Sequence, residues 1–386
     1  MQEHNTIIGR LLSGVNRRKF KRIVDKRNGD FAIKKLSCRE QFVAIFLGQI
    51  SHCDSLREIV DLIKLHSNQH YHLGIKKDIA RSTLAKANET RDWRIYRDVF
   101  LDLIKNLQKN EQFQASEVIQ IIDSTPINLN LTQHPWIETT MKIKGLKTHV
   151  VYDLTNNMPI YFDITGARCN DINFAREEIE IKKGAAYICD KGYTDYNWWN
   201  EINEKGAFFV TRLKKNARIE PISTLQVTNE LISSQIVQLT NKHPRAHATN
   251  NYAFKPLKLV YVKREGKEPL TLVTNDFKRS DEEISELYKQ RWQIELFFKW
   301  IKQNLKIKKF LGRSQNAIKT QICIAMIVFV LLRAAEELKE ICMNISYKNL
   351  LKIVGNSLFN CLKLRDYGKK RYKNPNQLQF EWTLAT

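Results

Sequence analysis

Residues 118–123 have the sequence Val-Ile-Gln-Ile-Ile-Asp, a short apolar run that ends in an acidic side chain. A second run of the same kind occupies residues 185–190, with the sequence Ala-Ala-Tyr-Ile-Cys-Asp. Short apolar runs bounded by polar residues are typical of buried strands in α/β sheets. A carboxylate at the carboxyl end of such a strand points into the crevice where these sheets place their sites. The two runs therefore predict two central strands that carry Asp123 and Asp190 at their ends.

The residues between and beyond these runs extend a mixed pattern of strands and helices. Alternating apolar and polar residues predict strands, and apolar residues at helical spacing predict helices. In chain order the predictions are strands at 147–153 and 159–164, helices at 171–181 and 196–203, and strands at 207–211, 257–263 and 270–275. Residues 1–115 are predicted to be helical, and so is most of the chain beyond residue 306. The predicted fold class is α/β, with helical regions at both ends of the chain.

Positive charge dominates the composition. The 386 residues include 63 Lys and Arg against 41 Asp and Glu, a formal net charge of +22. The excess is concentrated in residues 1–39, 296–335 and 348–373, and three separated basic stretches suit a long polyanion such as nucleic acid. A short helix predicted at 79–88 resembles the second half of a helix-turn-helix, with an ordinary exposed helix as the alternative.

Neither a membrane protein nor a secreted disulfide scaffold is predicted. The longest apolar run, Ile322–Leu332, falls short of the roughly 20 residues of a transmembrane helix and predicts a buried core helix. The N-terminus has no apolar signal region, and the seven cysteines are odd in number and form no Cys-x-x-Cys pair. A cytoplasmic protein with reduced thiols fits these features.

A long helix is predicted from residue 281 to residue 306, and it carries a regular series of polar side chains. Ser280 and Glu283 have the spacing of a capping box at its start. At 100° per residue, four of its polar side chains fall within about a 60° stripe of one face. They are Tyr288, Arg291, Glu295 and Lys302. The apolar neighbours are expected to face the core: Trp292, Ile294, Phe298 and Ile301.

These residues together suggest a site for phosphodiester chemistry. Two aspartates at strand ends and one glutamate on a helix can supply the acidic oxygens that a pair of divalent ions needs. Beside such a site, Arg291 and Lys302 are suited to bind phosphates, and Tyr288 is suited to pack near a strand end. The alternatives are structural, because strand-end aspartates are often turn formers and Arg291 and Glu295 have the spacing of an ordinary helical ion pair.

Three blocks of the sequence together resemble one family. The series Tyr-x2-Arg-x3-Glu-x6-Lys at 288–302 resembles the signature of DDE transposases from bacterial insertion sequences, of the insertion-sequence family 4 group. Ile121–Thr125 resembles the block around the family's first aspartate, and Ile188–Tyr193 resembles the block around its second. Residues 144–149 and 209–214 are also similar to the family. The resemblance covers residues 115–330, and its three blocks occur in the family's order.

The resemblance implies a ribonuclease-H-like fold, in which helices cover the faces of a five-stranded mixed sheet. A β-rich insertion is implied at about 213–277. The implied domains are a helical N-terminal DNA-binding region at 1–115, the catalytic domain at 116–306 and a helical basic C-terminal region at 307–386.

The resemblance also implies the chemistry. Asp123, Asp190 and Glu295 would be the catalytic residues and would hold two Mg²⁺ ions, for which Mn²⁺ is expected to substitute. The residues implied to bind DNA are Tyr288, Arg291, Lys302, Lys299, Arg212 and Lys214. The enzyme would nick the terminal inverted repeats of its own element, and the freed 3′-hydroxyl would attack target DNA. Relatives with this signature form a hairpin at the element end and tend to hold a flipped base in an aromatic pocket, for which Tyr252 and Phe254 are candidates.

The implied partner is DNA, and no membrane is expected. Because two element ends must be joined, a homodimer on DNA is expected. Two other functions share part of this evidence. One is a catalytically silent DNA-binding repressor derived from a transposase, and the other is a ribonuclease-H-like nuclease without strand transfer.

Overall fold

The computed structural model describes residues 6–109, 117–241, 249–304, 310–334 and 347–359. Its helices are α1 (Ile7–Ser13), α2 (Arg17–Lys26), α3 (Cys38–Ile50), α4 (Leu56–Leu65), α5 (His70–Leu73), α6 (Arg81–Thr90), α7 (Arg94–Leu107), α8 (Asp171–Glu178), α9 (Tyr196–Glu204), α10 (Asp281–Gln290), α11 (Trp292–Asn304), α12 (Gln315–Ala334) and α13 (Tyr347–Ser357). Its strands are β1 (Ile119–Asn128), β2 (Glu138–Thr139), β3 (Lys144–Asp153), β4 (Met158–Gly166), β5 (Ala186–Cys189), β6 (Phe208–Arg212), β7 (Ile219–Pro221), β8 (Gln226–Val227), β9 (Ile232–Leu239), β10 (Pro256–Arg264) and β11 (Lys267–Thr274).

The chain divides into two compact units, with boundaries after Lys109 and after Lys299. One unit, the sheet unit, contains every described strand together with α8, α9 and α10. The other, the helical unit, joins the N-terminal and C-terminal parts of the chain. The division into functional domains at residues 115 and 306 stays a prediction.

Five strands of the sheet unit have the order expected of a ribonuclease-H-like fold. β1 pairs antiparallel with β3, and β3 pairs antiparallel with β4. On the other side of β1, β5 runs parallel to it, and β6 runs parallel to β5. The resulting order β4-β3-β1-β5-β6 mixes both directions, and the predicted α/β class with a mixed sheet is confirmed.

The β-rich insertion continues this sheet and does not form a separate one. Its strands lie between Ile219 and Thr274, within the predicted range of 213–277. The last of them, β11, returns to pair antiparallel with β6, and β10, β9 and β7 follow outward to give a sheet of eleven strands. The sequence did not predict β7, β8 and β9 individually, because residues 216–255 have weak periodicity.

Gly145 occupies a position in β3 that only glycine can fill. Its φ is +148°, a conformation that residues with a side chain rarely adopt. A Cβ at this position would overlap the backbone carbonyl oxygen of Ile127 on β1. The glycine of the 144–149 block therefore allows β3 to approach β1 along the whole pairing.

The core of the sheet unit is rich in aromatic side chains. Trp199 stacks on Phe209 with ring centroids 4.8 Å apart, and Trp198 beside it is fully buried. Tyr252 meets the edge of the Phe209 ring at 6.3 Å and is buried as well. Tyr252 is therefore a packing residue, which makes it a poor candidate for receiving a flipped base.

The helical unit is built around α12. This helix is long and apolar enough to cross a membrane, yet 83% of its apolar stretch is buried inside the protein. It packs against α3, α6 and α7, and the predicted burial of Ile322–Leu332 is confirmed. On α6, Asn88 is buried and accepts a hydrogen bond of 2.7 Å from Gln41. A helix-turn-helix interpretation of residues 79–88 requires Asn88 to be exposed to DNA, and the structure buries it.

Candidate active site

Asp123 and Asp190 follow matched positions on two parallel strands. Ile122 of β1 lies opposite Cys189 of β5, and an aspartate follows each of these two residues in the sequence. Asp190 therefore follows the carboxyl end of β5, as predicted. Asp123 lies within β1 and not at its end, because β1 continues to pair with β3 up to Asn128 after β5 has ended.

Backbone contacts fix the orientation of Asp190. Its Oδ1 accepts a hydrogen bond of 2.7 Å from the Gly192 backbone N–H, and its carbonyl oxygen accepts one of 3.0 Å from the Thr211 hydroxyl. A Cβ at Gly192 would lie 2.8 Å from the same Oδ1 and would displace the carboxylate. The glycine of the Asp-Lys-Gly-Tyr block is therefore explained by the close approach of the Asp190 side chain to its backbone.

The helix predicted to run from 281 to 306 is divided at Arg291 into α10 and α11. The capping box of Ser280 and Glu283 at its start is confirmed. At the division, the Arg291 N–H donates to the Tyr288 carbonyl at 3.1 Å, and the Ile294 N–H donates to the Arg291 carbonyl at 3.3 Å. Hydrogen bonds over three residues make a tighter turn than those of an α-helix. Arg291 therefore lies at a local irregularity that the periodicity of the sequence did not reveal.

Arg291 joins α11 and β1, the two elements that carry Glu295 and Asp123. Its Nη2 lies 2.5 Å from Glu295 Oε1 on α11, and its Nη1 lies 3.5 Å from Asp123 Oδ2 on β1. Its guanidinium carbon also lies 5.8 Å from the centre of the Tyr288 ring. A planar guanidinium can contact two carboxylates at once. It thereby places Glu295 on the same side of the sheet as Asp123.

The charges that act on Asp123 include those of the other two predicted carboxylates. The pKa of Asp123 is raised to about 7, chiefly by burial, and the negative charges of Asp190 and Glu295 act in the same direction. The Ser124 backbone N–H and the Arg291 guanidinium act in the opposite direction. A carboxylate whose negative charge is disfavoured by burial and by two acidic neighbours would gain from a nearby cation.

The other predicted DNA-binding residues lie at the end of β6, just after it, and on α11. Arg212 is the last residue of β6. Burial raises the pKa of Tyr288 to about 12, and the positive charge of Arg212 acts in the opposite direction. Lys214 follows β6 and is half-buried. Lys299 and Lys302 lie about one and two turns beyond Glu295 on α11, Lys299 exposed and Lys302 half-buried.

One apolar residue of α11 does not lie where it was predicted. Trp292, expected in the core, is 55% exposed, while Ile294, Phe298 and Ile301 are buried as expected. The division of the helix at Arg291 changes the direction that a steady 100° step assigns to the next residue. Phe254, the other candidate for holding a flipped base, is 49% exposed.

The sequence also missed a polar network behind Asp123. The Ser124 N–H donates to Asp123 Oδ1 at 2.8 Å, and the Ser124 hydroxyl donates to Asp171 Oδ1 at 2.8 Å. The Lys147 ammonium donates to the same Asp171 oxygen at 3.2 Å, and His149 Nδ1 lies 3.6 Å from it. Burial lowers the pKa of His149 to about 4, so the imidazole is neutral at neutral pH. The 144–149 block thus supplies residues that hold Asp171.

The donor set suits a hard divalent cation in its chemistry. Mg²⁺ prefers carboxylate oxygens, and the three side chains offer six of them. Among the residues that the structure describes, however, no three His, Cys, Asp or Glu side chains form a ready-made ligand group. The Arg291 guanidinium contacts both Asp123 and Glu295. Those two carboxylates must therefore turn away from Arg291 in part to bind a metal ion together.

Comparison with known proteins decides the family. A family model described as "Transposase DDE domain" matches residues 114–331, more than half of the chain. The chain belongs to the DDE transposase family. Members of this family bind DNA and use divalent metal ions, and this DDE transposase is therefore an enzyme of DNA transposition. The family membership predicted from the three sequence blocks is confirmed.

Two transposases illustrate the range of similarity. A putative transposase y4zB from Sinorhizobium fredii is 40% identical over 268 residues, which cover 68% of this chain and 73% of that protein. A probable transposase for insertion sequence element IS5377 from Geobacillus stearothermophilus is 23% identical over 340 residues, covering 86% and 85% of the two chains.

Two further matches concern the whole chain and its N-terminal part. The cryo-EM structure of the piggyBac transposase synaptic complex with hairpin DNA matches with a TM-score of 0.48 and 14% identity, over 96% of this chain and 87% of that one. Residues 3–76 match a family described as a domain of unknown function (DUF4372).

Proposed function

We propose that this DDE transposase cleaves DNA at the terminal inverted repeats of its own insertion sequence and joins the freed ends to target DNA. The observation that carries the proposal is that the Arg291 guanidinium joins Glu295 to Asp123, while Asp190 follows β5, the parallel strand paired with β1. A repressor without catalytic activity has no need for three carboxylates whose charges disfavour one another.

Asp123, Asp190 and Glu295 are the proposed ligands of two Mg²⁺ ions, with Mn²⁺ as a substitute. When bound, the metal ions supply activation of water or a 3′-hydroxyl and stabilisation of the leaving oxygen. The protein's own contribution is orientation: Gly192 fixes the Asp190 carboxylate, and Ser124 fixes that of Asp123. These N–H groups orient the Asp190 and Asp123 carboxylates, while Asp123 and Glu295 would turn partly away from Arg291 when a metal ion binds.

The cationic side chains are the proposed contacts for DNA near the cleavage point. Arg291 contacts two of the carboxylates and Arg212 ends β6, the strand paired with β5, and both are proposed to bind the phosphates that flank the scissile bond. The other proposed DNA contacts are Tyr288, Lys214, Lys299 and Lys302. A cut-and-paste route through a hairpin at the element end is part of the proposal, with the exposed Trp292 and Phe254 as candidates to stack on an unpaired base.

The proposed setting is the bacterial cytoplasm, where the enzyme acts at the nucleoid as a homodimer that joins two element ends. The DNA that flanks the gene tests this proposal cheaply. Short terminal inverted repeats bounded by a direct duplication of the target are expected on both sides. Their absence from every genomic copy would contradict the proposal that the protein acts on an element of its own.

Metal affinity is expected to depend on pH through Asp123. Its pKa of about 7 means that the carboxyl group is protonated below neutral pH and must release this proton to bind a metal ion. The apparent affinity for Mn²⁺ should therefore fall by up to about tenfold per pH unit below pH 7 and level off above it. Titration of free Mn²⁺ by electron paramagnetic resonance over about pH 5.5–8.5 measures this dependence. The Asp123→Asn variant should show a weaker and flatter profile, and a flat wild-type profile would contradict the assignment.

Asp171 is expected to be a positioning residue for Asp123, acting through Ser124. The Asp171→Ala substitution removes the oxygen that accepts from Ser124 and Lys147, and it should lower the nicking rate or the metal affinity by about tenfold. Asp171→Asn retains an accepting oxygen and should keep most of the activity. The measurement is the nicking rate against metal concentration at saturating DNA. Equal loss in both variants, with unchanged metal dependence, would contradict a role through this hydrogen bond.

A further inference from the structure

The exposed face of α2 carries an uncompensated row of positive charge. Residues 17–35 contain nine Lys and Arg against two Asp. Phe20 and Val24 anchor the helix in the core, so its basic side chains point to solvent. The exposed ones are Arg17, Arg18, Lys21, Arg22 and Lys26.

The arrangement of these charges is unfavourable for an isolated helix. Like charges four residues apart repel each other, and α2 contains three such pairs: Arg17–Lys21, Arg18–Arg22 and Arg22–Lys26. The single acid of the helix, Asp25, is paired with Lys21 at 2.8 Å. Asp30 accepts a hydrogen bond from the Cys38 backbone N–H. The remaining cations of this row have no carboxylate partner among the described residues, which favours an anionic ligand outside the chain.

Arg39, which follows in the first turn of α3, reinforces this interpretation. Its guanidinium lies 5.6 Å from the centre of the Phe20 ring, and its Nε and Nη1 are buried without a hydrogen-bond partner among the described residues. Burial and the positive charge of Arg17 lower its pKa to about 10, so the side chain remains charged at neutral pH. Arg39 and Arg17 repel each other at the edge of the basic helix, and a phosphate bound by the exposed Arg17 would relieve this repulsion.

The loop after α2 presents an apolar residue among these charges. Phe31 is 82% exposed, and Lys34 and Lys35 follow it on the surface. The loop is tied down on both sides of Phe31, by the Gly29 N–H donating to the Val24 carbonyl at 2.9 Å and by the Asp30–Cys38 hydrogen bond of 2.7 Å. Ala32 has a φ of +57°, which is strained for a residue with a Cβ. A strained, anchored loop thus holds a large apolar side chain in water.

We propose that α2 and the loop that follows it, residues 17–35, form a duplex-DNA-binding surface on which the basic side chains bind backbone phosphates and Phe31 packs into a groove. Apolar side chains flanked by cations are used as wedges between base steps by proteins that bind the minor groove. This surface deepens the proposed function by giving a DNA contact within residues 3–76, and it requires only that DNA is the partner. The basic helix that contacts DNA is then α2 and not α6.

The test is the salt dependence of DNA binding by the full chain. Fluorescence anisotropy with a labelled duplex that carries the terminal repeat, between about 50 and 200 mM salt, gives the number of phosphates neutralised, because each contributes about 0.9 to the slope. The triple variant Arg18→Ala, Arg22→Ala, Lys26→Ala should reduce the magnitude of the slope by about 2 to 3 and weaken binding at least tenfold. A matched triple variant of exposed cations elsewhere in the helical unit, Arg57→Ala, Lys64→Ala, Lys77→Ala, should leave the slope near that of wild type.

Phe31 supplies an independent arm of the test. Phe31→Ala should weaken binding several-fold without changing the salt slope, because no charge is removed, and Phe31→Trp should restore affinity. The proposal is overturned if the α2 triple variant behaves like its matched control. A second result also overturns the proposal. Wild type would bind vesicles of phosphatidylglycerol, and the α2 triple variant would lose vesicle binding but keep the DNA affinity of wild type, because the surface then serves a membrane.

Failure of the catalytic proposal gives a different result. The salt slope needs no metal ion and remains measurable in a protein that does not cleave DNA.

Discussion

The Asp123→Asn variant is expected to lose at least about 10³-fold in the rate of DNA nicking, because metal-ion catalysis contributes several kcal/mol to the transition state. The substitution keeps the shape of the side chain and an oxygen that can accept from the Ser124 N–H. It removes the negative charge that a metal ion requires. Single-turnover nicking of a labelled terminal-repeat duplex at saturating enzyme measures the rate.

Two controls separate this loss from misfolding. DNA affinity without metal should stay within about twofold of wild type, since the substitution removes one negative charge and no cation. The thermal midpoint should not fall, because Asp123 is disfavoured as an anion by burial and by its acidic neighbours. A variant that keeps wild-type nicking would remove Asp123 from the catalytic set.

Arg291→Ala is expected to show the second-largest effect, a loss of about 10²-fold in nicking rate, which is typical when a charged donor is removed from a site of developing charge. Arg291 contacts both Glu295 and Asp123, so its loss also releases the connection between α11 and β1. Arg291→Lys should recover only a small part of this rate, since a single ammonium cannot reproduce the planar double contact. The same single-turnover assay gives both values.

The lysine variant decides what kind of interaction Arg291 makes. If Arg291→Lys nicks at the wild-type rate, a positive charge is sufficient and the double contact is irrelevant. If both variants match wild type, Arg291 is only a structural ion pair on a helix, which was the alternative available from its spacing to Glu295.

The sequence was most informative where strand pattern and chemistry coincide. The two apolar runs that end in aspartate predicted the two strands β1 and β5, because a buried strand leaves a clear apolar signature, and the structure pairs these strands in parallel. The predicted α/β class was also correct, and so was the burial of Ile322–Leu332. The glycines of two blocks, Gly145 and Gly192, are explained by close approaches that only the folded chain reveals.

The remaining features depend on contacts between distant parts of the chain. Asp123 lies within β1 because the pairing with β3 is longer than the pairing with β5, and a single-strand pattern contains no information about partner length. The division of the long helix at Arg291 and the exposure of Trp292 follow from local hydrogen bonds, to which a steady helical period is insensitive. Asp171 joins Ser124 over 47 residues of sequence, so no local motif indicated it.

The most direct test of the central claim is cleavage at the element end by purified full-length protein in Mg²⁺ or Mn²⁺, comparing wild type with Asp190→Asn on a labelled duplex that spans the terminal repeat. We expect wild type to nick the duplex at the repeat boundary in the presence of metal, and Asp190→Asn to lose this activity while it retains DNA binding. Cleavage without preference for the boundary would indicate a nuclease without end specificity. Equal binding of the repeat by both proteins, with no cleavage in either metal, would contradict the proposed transposase activity and indicate a DNA-binding repressor.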